Sequence, residues 1–353
     1  MTSLQISDLP SPPKGKTGWP WTEISSDSGT HDNENCKWPR ISIVTPSFNQ
    51  GQFIEETIRS VLLQDYPNLE YIVIDGNSTD STREILKKYD RFIRWISEPD
   101  EGQTDAINKG LQMASGEIVA YLNSDDMYEP GSLMSVAEYF CQQEDIAMIY
   151  GDIFHIDEDS RFVEFHKTGE VDVLKYLMAG DFYLPQPSVF FRKRVIETLG
   201  YFDKKLHLAM DYDYWLKIIL KYKTRYVPVA LSRARIYPEA KSSSQNYKYL
   251  DELLAIYQSL FAQYPKLEPL RNDVFGYAYF VGALTFMRRH YFAKAMKNFR
   301  IAVRFDPRYF IHPYLYWCFI EICIGEKNSR KIRPRVKKIL DPIIHAESFN
   351  NIR

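Results

Sequence analysis

The chain has 353 residues, enough for one large domain and an appendage. Apolar residues make up 45% and charged residues 25%, and 44 lysines and arginines nearly balance 46 acids, for a net charge of −2. That balance argues against a nucleic-acid partner held by bulk charge, and no run of about 18 uninterrupted apolar residues speaks for a spanning helix.

The opening MTSLQISDLPSPPKGK lacks the apolar segment of a secretory signal. Cys36, Cys141, Cys318 and Cys323 are scattered without a CxxC pair, so neither a disulfide framework nor a zinc site is expected. A reducing, cytoplasmic location follows. Residues 1–39 are rich in Ser, Pro, Gly, Asp and Asn and read as an extended arm. Trp19, Trp21 and Trp38 are expected to dock that arm on the main domain, with residues 1–15 partly disordered.

From Ile41 the pattern alternates. ISIVTPS is a strand, FIEETIRSVLLQ a helix, EYIVIDG a strand, STREILKKY a helix, FIRWIS a strand, TDAINKGLQMA a helix and EIVAYLN a strand. Such alternation predicts βαβ units around a mostly parallel sheet, its apolar strands covered by helices on both faces. The order then loosens: AMIYGDIF is a strand, VDVLKYLMA a helix, PSVFFR a strand, YDYWLKIILKY a helix and TRYVPVALSRARIY extended. From Tyr247 onward the pattern is helical, with a boundary near 240–246. The expected domains are therefore an arm at 1–39, a catalytic domain at 40–245 and an α-helical region at 246–353.

Polar clusters stand at the carboxyl ends of the strands, where such sheets bind ligands. Asp75 ends EYIVID and is followed by GNSTDST, in which Ser78 or Thr79 would cap the next helix. Taken alone, Asp75 reads as a turn aspartate. Asn123, Ser124, Asp125 and Asp126 leave the strand EIVAYL. Two adjacent acids form a costly like-charge pair that a divalent cation would relieve, and oxygen ligands suit Mg2+ or Mn2+. Their blander role is to favour the dipole of the helix PGSLMSVAEYF. Asp211 and Asp213 open the helix in LHLAMDYDYWLK, where one acid serves as a cap and leaves the other for work such as general base.

In this order, VTPSFNQGQFIEETIRSVLLQDYPNLEYIVIDGNSTDST, EPDEGQTDAINKGLQMASGEIVAYLNSDD, QPSVFFR and GYFDKKLHLAMDYDYWLK resemble glycosyltransferase family 2, over roughly residues 40–240. The resemblance implies the GT-A fold, α/β and Rossmann-like, and an inverting transfer from a nucleotide-diphosphate sugar to an acceptor hydroxyl in polysaccharide or glycoconjugate synthesis. It implies that Thr45 and Pro46 frame the nucleotide and that Asp75 recognises the base. Asp125 and Asp126 would serve the ribose and a metal-bound diphosphate, with Asp126 the main metal ligand. Asp211 would be the catalytic base, with Met210 where relatives often have Glu. Asn123 stands where relatives often have Asp, and Tyr237 where many have His. Arg235 or Lys241 would help neutralise phosphate.

In the last third, Tyr279, Ala295, Phe299, Ala302 and Pro307 fit one tetratricopeptide helix pair, which a small helical bundle also satisfies. The aromatic segment YFIHPYLYWCFIEICIG, followed by KNSRKIRPRVKK, fits either a peripheral membrane surface, suited to a lipid-linked acceptor, or a third helix with a solvated tail. Two competing functions are a non-catalytic nucleotide-binding relative with a partner-binding C-terminus and a nucleotidyltransferase. The four acids kept together speak against the first, and TPSFNQGQF lacks the glycine- and basic-rich loop of the second.

Overall fold

The structure, a computed structural model, describes residues 4–25, 37–179 and 184–324. It forms two compact units, residues 1–244 and 245–353.

The first unit starts with the alternation legible in the sequence: β1 (Ile41–Ser47), α1 (Ile54–Leu62), β2 (Leu69–Asp75), α2 (Thr82–Lys88), β3 (Arg94–Ser97), α3 (Gln103–Met113) and β4 (Ile118–Tyr121). Every residue of β1 and β4 is buried, as strands covered on both faces require. Gly110 lets α3 lie close on β1, since a Cβ there would sit 2.2 Å from Val44 Cγ1. There follow β5 (Met127–Tyr128), α4 (Ser132–Gln142), β6 (Ile146–Ile156), β7 (Phe162–His166), α5 (Val173–Ala179), β8 (Val189–Arg192), α6 (Arg194–Leu199), α7 (Met210–Lys221), β9 (Lys223–Arg235) and α8 (Lys241–Ser244).

One sheet runs β3-β2-β1-β4-β8-β6-β9-β5, with β7 also on β6. The β3-β2-β1-β4 half is parallel, as is β6 with β9. β8 enters antiparallel between β4 and β6, which makes the sheet mixed. The sequence pattern does not reveal β5, which is two residues long, or β7, whose first four residues are exposed and so carry no burial alternation.

The arm docks. The indole N–H of Trp19 donates to the Tyr128 carbonyl (3.0 Å) and that of Trp21 to Glu56 (3.3 Å), while Trp38 packs edge-on against Tyr66. Residues 4–15, expected to be partly disordered, are held as well. Leu9 is buried in the core, and the fully buried Arg59 donates to the carbonyls of Pro10 (2.9 Å), Pro20 (3.0 Å) and Trp21 (2.8 Å). A buried guanidinium needs that many acceptors, and the arm supplies them. The cysteines also depart from expectation: Cys141 is disulfide-bonded, while Cys318 and Cys323 are free.

The second unit contains α9 (Tyr249–Gln263), α10 (Arg271–Arg288), α11 (Phe292–Phe305) and α12 (Pro313–Ile324). Ala295, Phe299 and Ala302 are buried in the α10–α11 pair, and Tyr279 stacks on Phe305 at 6.2 Å. Pro307 begins a separate 3-10 turn after α11. No helix among the described residues is long and apolar enough to cross a membrane. KNSRKIRPRVKK lies outside the described residues.

Candidate functional site

Three parallel strands end level, with Ser47 of β1, Asp75 of β2 and Ser97 of β3 in register. Asp75 is fully buried in the middle. Its carboxylate accepts from the Ser78 amide (3.0 Å), the Ser78 hydroxyl and the Ser97 hydroxyl (2.6 Å). The loop after β2 is tied to the loop after β1. Asn49 N–H donates to Ser78 Oγ (2.7 Å), Thr79 N–H to Asn49 Oδ1 (2.9 Å) and Gly51 N–H to Asp80 Oδ2 (2.8 Å). The α2 amide of Thr82 is capped by Asp80 (3.0 Å), not by the serines or threonines expected for that job. Thr45 is buried with its hydroxyl against Tyr71 OH (3.0 Å), so its side chain faces the core. Pro46 is buried beside it. Ser47 Oγ, at the strand end, is buried without a hydrogen-bond partner.

Asp125 and Asp126 stand in the turn between β4 and β5, and four segments fix that turn. Thr57 of α1 donates to the Ser124 and Asp126 carbonyls (2.9 and 2.7 Å). Asn123 accepts from Gln103 of α3 (2.7 Å) and donates to Gln186 (3.0 Å) and Asp126 (3.3 Å). Gln186 in turn holds the Tyr121 carbonyl (2.6 Å). The end of β9 closes the turn: the Arg235 amide donates to Asp126 Oδ1 (2.9 Å), and Tyr237 OH to Asp125 Oδ2 (2.8 Å). Burial raises the pKa of both acids. In Asp126, buried more deeply than Asp125, the charge of its neighbour adds to a large upward shift. This is the electrostatic cost of two carboxylates leaving one core strand.

Arg235 does not fill the phosphate-neutralising role expected of it. Its guanidinium is 1% exposed and spends its donors on the carbonyls of Asp125, Asp157 and Glu158, on Ser160 Oγ and on Glu56 Oε2. It clamps the acid turn to α1 and to the turn between β6 and β7. Lys241 Nζ reaches Gln103 Oε1 (2.8 Å), joining the network around Asn123. Glu56, Gln103 and Gln186 belong to this centre without having been singled out in the sequence. Glu56 carried a weak signal, as one of two adjacent acids opening the helix FIEETIRSVLLQ, and Gln103 and Gln186 carried none.

Asp211 and Asp213 lie in the first turn of α7, whose N-cap is Ala209, so neither acid is the cap. Asp213 is 9% exposed and paired with Lys217 at 2.5 Å. Asp211, less buried, accepts from the Tyr212 amide (2.8 Å). The α3 residues Thr104 and Asn108 tie down the approach to α7 through the carbonyls of Leu206 (2.9 Å) and Phe202 (2.8 Å). The same helix thus supports Asn123 at its start and the Asp211 segment along its length. Among the described residues no three His, Cys, Asp or Glu side chains group as a metal cluster.

The model of the family described as Glycosyl transferase family 2 matches residues 42–200. An uncharacterized glycosyltransferase of Mycobacterium tuberculosis is 30% identical over 187 residues, covering 52% of this chain and 70% of its own. One of Rickettsia typhi is 25% identical over 246 residues, covering 67% and 76%. TuaG of Bacillus subtilis, named as a teichuronic acid biosynthesis glycosyltransferase, is 38% identical over 109 residues, covering 30% of this chain and 43% of its own. Among solved structures, S. aureus TarS 1–349 in complex with UDP-GlcNAc has a TM-score of 0.53 at 18% identity, covering 76% of this chain and 91% of that one. The mannosyltransferase PcManGT from Pyrobaculum calidifontis, in complex with GDP-Man and Mn2+, has a TM-score of 0.55 at 17% identity, covering 87% and 89%. At such identities these two likenesses are of fold.

Proposed function

Because the chain belongs to glycosyltransferase family 2 and has the GT-A fold, we propose that it inverts the anomeric centre as it moves a sugar from a nucleotide-diphosphate donor to an acceptor hydroxyl. The product is a cell-surface polysaccharide or glycoconjugate, a reading supported by the name of the Bacillus relative. The observation that carries the proposal is the Asp125–Asp126 turn, a strained like-charge pair held rigidly by α1, α3 and β9.

The donor set suits a hard divalent cation. Mg2+ and Mn2+ take one or two carboxylates and complete their shell with water and phosphate oxygens. Asp125 and Asp126 would hold the ion, which supplies Lewis-acid stabilisation of charge on the departing diphosphate. Asp126 accepts from the Arg235 amide at Oδ1 (2.9 Å) and only a longer bond from Asn123 at Oδ2 (3.3 Å), so Oδ2 is the oxygen that a cation would take in exchange for the weaker bond, while the more exposed Asp125 shares the ion and faces the donor's ribose and diphosphate. The strand ends Thr45, Pro46 and Ser47 frame the nucleoside, with Ser47 Oγ the orphan that a ligand would satisfy. Asp75 reads the base through the loop that it fixes with Ser78 and Ser97. Asp75→Ala then weakens donor binding and relaxes discrimination among nucleotides; loss of turnover at full donor affinity contradicts the role. Asp211 takes the proton from the acceptor hydroxyl as it attacks. With one face of the sugar used for attack and the other for departure, a single base suffices, unlike the two carboxylates of a glycosidase.

Any peripheral membrane contact belongs to the C-terminal unit, where Phe310, Ile311, Tyr316, Phe319 and Ile320 are exposed. The test of the function is a panel of nucleotide sugars, with hydrolysis of the donor measured with and without Mn2+. Metal-stimulated release of nucleoside diphosphate from one donor is expected; metal-independent release, or none from any donor, rejects the reading.

A further inference from the structure

Three groups at the end of β9 and just beyond it close over the acid turn, and each of the two from Arg235 has a backbone group on one side of its bond. The Arg235 amide holds Asp126, and the Arg235 guanidinium holds the Asp125 carbonyl. Tyr237 is different. Its hydroxyl donates to the carboxylate of Asp125, to Oδ2 at 2.8 Å. Its ring leans on Phe53, centroids 5.2 Å apart at 56°, and Phe53 is itself fixed beneath the Arg235 guanidinium at 4.5 Å. The residue forms a small buried cluster with Phe53 and Ala240, and it lines an open cleft of about 460 Å3. The phenol is therefore delivered to Asp125 from a wall whose other side faces solvent.

We propose that Tyr237 is a positioning residue for the divalent cation: by holding Oδ2 of Asp125 it sets the carboxylate plane and turns the other oxygen toward the metal. This rests on the metal reading of the acid pair given above. A carboxylate beside a second acid has a reason to swing away, and rotation about its last side-chain torsion is the cheapest way to do so. One neutral donor, locked by ring packing, removes that freedom without adding a charge that would compete with the cation. Donors in this outer position typically change metal affinity by about 10- to 100-fold when removed. The hydroxyl also gives Asp125 a partner while no metal is bound, which lets the turn keep one geometry in both states.

The test is Mn2+ uptake by the full chain, read by electron paramagnetic resonance with UDP and GDP as probes. Tyr237→Phe keeps the ring on Phe53 and removes only the hydroxyl. Its Mn2+ affinity in the presence of nucleotide falls about tenfold or more, while nucleotide binding in EDTA and the melting temperature stay at wild-type values. Should that variant fold poorly, Phe53→Leu, which loosens the wall behind the phenol, shifts Mn2+ affinity in the same direction. Mn2+ affinity within twofold of wild type in a folded Tyr237→Phe overturns the inference, and tighter Mn2+ binding overturns it too, since the hydroxyl would then be competing with the cation. Wild-type protein that takes up no Mn2+ with either nucleotide overturns the metal reading itself, a separate result.

Discussion

Glu70 illustrates how a single buried carboxylate joins several strands. It accepts from Ser42 Oγ (2.5 Å), the Ser115 amide (2.7 Å) and Ser115 Oγ (3.0 Å), with Arg94 (3.1 Å) and Arg40 (3.3 Å) beside it. Burial alone would raise its pKa, but the bonds from Ser115 and Ser42 and the charge of Arg40 outweigh that and hold it below the usual carboxylate range. A lowered folded-state pKa means stability that is present above the unfolded value, about 4.3, and lost as pH falls through the folded value. Glu70→Gln is expected to cost about 1–3 kcal/mol at pH 7, and the gap to wild type should shrink below about pH 4. Urea titrations at both pH values measure this; a constant gap rejects it. Asp211 is the residue on which the proton transfer turns. Asp211→Asn keeps size and hydrogen bonding but loses the basic oxygen, so turnover should fall about a hundredfold or more with donor affinity nearly unchanged. Turnover at the wild-type rate moves the base elsewhere. Asp213 is the poorer candidate, since Lys217 already holds it.

At the scale of elements, the N-terminal arm depends on α1. Arg59 satisfies three arm carbonyls and also meets Tyr89 OH (3.2 Å), which itself donates to Glu55 (3.0 Å). Arg59→Met fills the volume but leaves those buried carbonyls bare. A loss on the order of 3 kcal/mol is expected, together with faster proteolysis of the arm than of the rest of the chain. An arm equally resistant in the variant would show that the tryptophans alone hold it. The helix α3 has a similar double duty. Gly110→Ala would place a methyl against Val44 and lift the helix that positions Gln103, Thr104 and Asn108.

At the scale of the whole molecule, each unit carries its own surface chemistry. In α12, Leu315, Trp317 and Cys318 are buried while Tyr316, Phe319 and Ile320 are exposed, so the helix is apolar on both sides. Seven lysines and arginines fall between residues 327 and 338 of the sequence that follows. Replacing Phe310 and Phe319 with Ser leaves the buried residues in place and is expected to reduce co-sedimentation with anionic vesicles severalfold. Equal sedimentation of both proteins would leave α12 as ordinary bundle surface.

The sequence by itself determined the alternating half of the sheet, because strands buried on both faces must be continuous apolar runs and their covering helices must be amphipathic. It also marked the acids Asp75, Asp125 and Asp126, because carboxylates at the ends of apolar strands are costly unless they are paired or put to use, and Asp211, because it stands where a helix opens. Only the tertiary structure decided what each polar group is used for. Arg235, which the sequence offered as a residue to neutralise phosphate, is consumed by carbonyls from the acid turn and the β6–β7 turn. Thr45 faces the core because the two-residue period of β1 turns its hydroxyl to Tyr71. Tyr237 meets Asp125 across 112 residues of chain, a pairing that exists only because β9 returns beside β5. Local pattern encodes which face of an element is apolar; which distant partner a hydrogen-bonding group finds is fixed only when the chain has closed on itself.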